Sequence, residues 1–265
     1  FAPWSMVLFA VSAVSLWLLV RHEGKSAAPL LDLSLFKIRM LTAGVLSHFF
    51  VTITHASTFF LLPFYLQGIL RVTPTRVGVT IIFFSLVIVC LAPLGGWLGD
   101  RLGSRSMCTT GAALTALAML GFARLDSNST QVSFMIPLMV LGLGWSFFQS
   151  PNLSGMFNAV DGRHVGSVSG LSLTSANVGN AMGVALGSLL FLRWLNYFGL
   201  DGAVVPPYTQ WGASPEVFLK SFRSSWLVIA GLGSVAIVTS ALRGSEKGFG
   251  KGVGSLFLTR KPAMR

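Results

Sequence analysis

Residues 95–105 read GGWLGDRLGSR, and they decide how the chain must be folded. They place one acid, Asp100, and two bases, Arg101 and Arg105, in a sequence that otherwise avoids charge. Upstream, residues 77–99 carry none. Downstream, MCTTGAALTALAMLGFA (107–123) carries none either. Two uncharged runs of bilayer-spanning length, joined by a charged link, suit a membrane hairpin, because lipid excludes the charges and the link returns them to water. The glycines at 95, 96, 99 and 103 allow close helix packing and a sharp turn.

The rest of the chain agrees. Of its 265 residues 53% are hydrophobic and only 10% are charged, with a mean hydropathy of +0.73. A soluble domain is about one quarter charged, so the composition is that of an integral membrane protein with the lipid bilayer as its surroundings. The net charge of +11 does not indicate nucleic acid, because the bases lie between apolar runs and form no single basic stripe. Cys90 and Cys108 sit in or beside apolar runs and read as small core residues. No Cys/His cluster has metal spacing and no phosphate-binding glycine loop occurs, so no metal and no cofactor is expected. Phe1 opens directly into an apolar stretch without the flanks of a signal peptide, which suggests a piece of a longer protein.

Seven runs are long enough to cross a bilayer: 1–20, 40–67, 77–99, 107–123, 132–150, 165–192 and 224–242. They are continuously apolar, which excludes the alternation of a membrane barrel, and helices satisfy their own backbone in lipid. The expected fold class is therefore all-α and polytopic, with seven transmembrane helices. With residues 21–39 inside, thirteen Lys and Arg fall on inner segments and six on outer ones. That bias predicts a cytoplasmic C-terminus. Thr73 and Pro74 are expected to open the third run as its cap and first helical residue. Tyr197, Tyr208 and Trp211 suit an interfacial belt in the long outer segment 193–223. The tail, 243–265, is basic and glycine-rich.

GWLGDRLGSR (96–105) resembles the G-x-L-x-D-R-x-G-x-R/K loop of the major facilitator superfamily, matching at Gly96, Leu98, Asp100, Arg101, Gly103 and Arg105. PLLDLSLFKIR (29–39), LLPFYLQGILRVTPTRVG (61–78) and GSVSGLSLTSANVGNAMGVALG (166–187) extend the likeness to the second half of the fourteen-helix drug:proton antiporters. The resemblance implies that 1–20 is a linker-type extra helix and 21–39 a cytoplasmic loop. Residues 40–242 would form the C-terminal six-helix bundle, and the partner would be an amino-terminal half absent from this chain. It also implies export of a small-molecule substrate by alternating access, with no enzymatic step, and a gating role for the loop residues. One departure stands out: family members often carry an arginine where this chain has Ala176, and TSANVGN (174–180) offers only the polar Asn177 and Asn180, both candidates to line a substrate cavity.

In the second run, His48, Thr52 and His55 recur at helical spacing and share a face. Ionisable groups inside a membrane span are costly and are functional candidates by default, although a neutral histidine can also bond between helices. The fifth run offers Trp145 and Gln149 beside them as candidates to line a substrate cavity. In the sixth, Gly179, Gly183 and Gly187 repeat every four residues, the spacing for close helix packing. All eight acids fall in or beside loops, so this chain by itself lacks a mid-membrane carboxylate for proton coupling. The runs expected to line the cavity are the second, third, fifth and sixth.

Overall fold

The computed structural model describes residues 33–199 and 215–244, with scattered helical positions between 7 and 22. The first run lies otherwise outside the described residues, as do Tyr208, Trp211 and the tail from residue 245. A 3-10 turn, Leu33–Lys37, leads into six α-helices: α1 (Arg39–Phe64), α2 (Pro74–Leu102), α3 (Ser104–Phe122), α4 (Gln131–Asn158), α5 (Val165–Tyr197) and α6 (Pro215–Ala241). They are the second to seventh runs. A π-helical turn, Tyr65–Ile69, prolongs α1, and no strand occurs among the described residues.

Five of these helices are long and apolar enough to cross a membrane. The other, α3, has 19 residues, about 28 Å at the α-helical rise and close to the thickness of the hydrocarbon layer. Most helices exceed their apolar runs. Thr73 occupies the N-cap of α2 with Pro74 following, but its hydroxyl makes no capping bond. Thr130 does cap α4, accepting from the Ser133 amide at 3.2 Å. The fifth run reads as ending at Ser150, whereas α4 continues through Pro151 to Asn158. Proline costs less within a membrane helix when neighbouring groups satisfy the freed carbonyl. At the start of α6, Pro215 adds a polar turn that hydropathy alone omits.

The charged link between the third and fourth runs is not a loop. Helix α2 runs to Leu102 and α3 starts at Ser104, so the connection is Gly103 alone. Gly103 has φ 84° and ψ 148°, a backbone region that only glycine occupies without strain. Gly96, Asp100 and Arg101 therefore lie on the last turns of α2, and Arg105 lies on the first turn of α3.

Helix α1 is the centre of the bundle, packed by α5, α6 and α4, while α4 also meets α2 and α3, and α3 meets α6. Its most apolar window is 67% buried, against 17% for α2, the most apolar span among the described residues. In water this order would be inverted. In lipid the apolar helix can face out, and α1 turns its histidines and hydroxyls into the protein. The contact of α1 with α5 is close. A methyl group added at Gly183 would lie 2.6 Å from the Ile53 carbonyl oxygen and from the Ala56 side chain. Gly179 and Gly187 face the same helix at Phe49, Thr52 and Ser57. This contact carries hydrogen bonds as well: Ser57 donates to the Gly183 carbonyl at 2.7 Å and Ser175 to that of Val45 at 2.9 Å.

Candidate functional site

A cavity of about 590 Å³ lies between α1, α4 and α5. From α1 come His48, Thr52 and His55, followed by Ala56, Phe59 and Phe60; α4 adds Trp145 and Gln149, and α5 adds Ala176, Asn180 and Val184. The helical spacing of the α1 residues puts their polar groups on one face, and the close glycine contact holds α5 beside them. Six of the seven residues singled out for this cavity are thus brought together. Asn177 is not. It is exposed on α5, one position round from the wall that Ala176 and Asn180 form.

The histidines are held from behind. His48 Nδ1 pairs with the Ser172 hydroxyl at 3.2 Å. His55 Nδ1 lies 2.9 Å from the Val51 carbonyl and donates to it, since a carbonyl can only accept. The Trp145 ring packs 4.6 Å from that of His55 and 6.3 Å from that of His48. His48 Nε2, Thr52 Oγ1, His55 Nε2 and Gln149 Oε1 are buried and make no hydrogen bond of good geometry among the described residues, although the Gln149 side chain lies beside His48 and the Leu141 backbone beside His55. So many unsatisfied polar atoms in one place are uncommon in a packed interior.

A second cavity of about 500 Å³ shares Trp145 and Gln149 with the first and follows α4 toward the end that bears Asp100. Its walls are Ile88 and Ala92 of α2, together with Ser146, Ser150, Leu153, Ser154, Phe157 and Asn158 of α4. Helices α3 and α6 line neither cavity. The lining residues of both include no Asp, Glu, Lys or Arg.

One residue escaped the sequence reading. Arg243 counts there as a loop charge, yet it is only 1% exposed. Its guanidinium donates to Ser47 of α1 and Asn152 of α4, and to the Cys108 sulfur of α3 at 3.0 Å. It also lies 5.7 Å from the centre of the Phe148 ring. Asn152, on the part of α4 beyond the fifth run, is thereby bound to Arg243 and lines neither cavity. No local pattern signals this, because the partners come from three different helices. At the nearby hairpin Arg101 stacks on Trp97 at 3.9 Å. Asp100 is exposed and makes no ion pair with Arg101 or Arg105 among the described residues.

Relatives agree with this architecture. The Major Facilitator Superfamily model matches residues 2–184 and 44–252. The riboflavin transporter RibZ of Clostridioides difficile is 30% identical over 68% of this chain and 40% of its own length. The multidrug efflux pump LfrA of Mycolicibacterium smegmatis is 26% identical over 92% of this chain and 47% of its own. The lincomycin resistance protein LmrB of Listeria innocua is 25% identical over 68% and 38%. The chain thus spans less than half the length of these relatives. With a family match over most of its residues, an all-α bundle of membrane-spanning helices and relatives that include multidrug efflux pumps, the chain belongs to the Major Facilitator Superfamily.

Proposed function

We propose that this chain supplies the C-terminal, substrate-binding wall of a fourteen-helix transporter that exports small amphipathic compounds by proton-coupled alternating access, with its C-terminus in the cytoplasm. The observation that carries this reading is the cavity between α1, α4 and α5, where aromatic rings and unsatisfied polar atoms converge. Its volume lies in the range of small-molecule sites. In transporters built from repeats, substrate sites lie near the midplane at the interface between repeats. A substrate shifts the cycle only by binding its two states unequally. The positions of Asp100 and Gly103, at a one-residue turn between two spans, suit a latch on one of those states.

Transport rather than catalysis fits the lining, which holds two histidines and no carboxylate. The coupling acid is then a residue outside this chain, and the histidines are the titratable groups nearest the substrate. The test is efflux from cells expressing the full gene product with His55→Ala. Transport is expected to fall about tenfold at equal expression, with an altered pH dependence. Unchanged substrate range and pH profile would reduce His55 to packing.

A further inference from the structure

Arg243 stands just past the end of α6, and both its backbone and its side chain are held by other helices. Arg39 Nε, at the start of α1, donates to the Leu242 carbonyl at 2.7 Å and so fixes the backbone beside Arg243. The Arg243 side chain then runs inward among α1, α3 and α4. One of its nitrogens, Nη2, donates to both Ser47 and Asn152, so a single atom ties α1 to α4. These two helices approach closely at this level. A methyl group added at Gly44 of α1 would lie 2.6 Å from the Met156 side chain of α4 and 3.5 Å from Asn152 Oδ1.

The tie lies directly behind the first cavity. Ser47 precedes His48 on α1, and Asn152 lies about one turn beyond Gln149 on α4. The buried Phe148 ring, next to Gln149 in sequence, has the guanidinium 5.7 Å from its centre and the His48 ring at 6.1 Å. Arg243 itself lines neither cavity. Burying a guanidinium costs solvation that an apolar side chain of similar size does not, and exchanging buried charge for apolar bulk is often neutral for stability. What the arginine adds is direction: charge-assisted bonds of fixed length to two particular residues. Binding groups hold their geometry only when the residues behind them are locked in this way.

We infer that Arg243 is a positioning residue for transport: by tying Ser47 to Asn152 it sets the register at which His48 of α1 faces Trp145 and Gln149 of α4, and with it the affinity of the first cavity for a substrate that Arg243 does not touch. This rests on the cavity reading proposed above.

The test measures equilibrium binding by fluorescence titration to the full gene product in lipid nanodiscs. Two planar probes are used, the cation ethidium and the neutral 7-methoxy-4-methylcoumarin. Arg243→Met is expected to weaken every probe that the parent binds by about tenfold, because a binding group displaced by a fraction of an ångström loses much of its contact. Arg243→Lys should recover most of that loss, since an ammonium placed where Nη2 lies can donate to both Ser47 and Asn152. Asn152→Leu should act like Arg243→Met, and the double variant should bind no more weakly than the weaker single, because both remove one contact. Ile229→Ala, in the aromatic core at the other end of the bundle, reads what lost stability does by itself and should leave affinity within about twofold. If Arg243→Met and Asn152→Leu fold and bind within twofold of the parent, the positioning role is overturned while the cavity reading stands. An equal loss in Ile229→Ala, or losses that multiply in the double variant, overturns it as well. If Arg243→Met does not fold, Arg243→Lys and Asn152→Leu decide: both binding as the parent does overturns the role. If neither probe binds the folded parent, the cavity reading falls and this inference with it.

Discussion

The two ends of the bundle are held together by opposite means. At the end away from Asp100, six fully buried rings interlock: Tyr65, Phe122, Phe134, Phe191, Phe222 and Trp226. Phe191 stacks on Phe222 at 4.4 Å, and Trp226 stacks on Phe122 at 5.3 Å. At the Asp100 end, one guanidinium joins four helices through a few directional bonds. Rings packed at van der Waals distance cannot separate without opening a void. Hydrogen bonds to a guanidinium can be exchanged for water one at a time. Both cavities lie between these two regimes, and the second extends toward the hydrogen-bonded end. Any opening of this bundle therefore costs least where Arg243 sits.

That contrast can be broken experimentally. Trp226→Ala should have the largest effect, a loss of about 3–5 kcal/mol for removing a buried aromatic side chain, measured by thermal unfolding in detergent. Arg243→Met should cost less, about 1–3 kcal/mol, because Ser47 and Asn152 lose their donor while an apolar chain fills most of the space. It should also admit N-ethylmaleimide to the buried Cys108, read in a Cys90→Ala background so that only one thiol is present. If the arginine variant proves the less stable of the two, or if Cys108 stays unreactive, the ends do not differ as described. Gly103→Ala tests the hairpin at the same end. A residue with a side chain held at that positive φ costs about 1–3 kcal/mol if the turn is kept. A turn that relaxes instead should show a smaller loss and faster proteolysis at Arg101 or Arg105.

Much of the site was legible because it follows helical periodicity. His48, Thr52 and His55 lie on one helix at a spacing that predicts one face, and the structure puts all three on one cavity. Trp145 and Gln149 also have helical spacing and share a wall. Asn180 lines the first cavity and Asn177 does not, although both are exposed on α5: two polar residues three apart can lie on either side of the edge of a cavity wall, and composition does not mark that edge. Asn152 and Arg243 were invisible for another reason. Their bond spans 91 residues of sequence, and nothing in either local stretch asks for the other.

The amino-acid sequence by itself determined the membrane class, the order of the helices and the glycine spacing that brings α5 against α1. Those follow from hydrophobic length, charge placement and helical geometry, which are properties of short segments. Only the tertiary structure decided that the most apolar helix lies outermost and the histidine-bearing one at the centre. It alone placed Gly103 as the whole turn, Arg243 among four helices, and Trp145 and Gln149 between two cavities. Each of these depends on which helices meet and at what register, and a single helix carries no record of its neighbours.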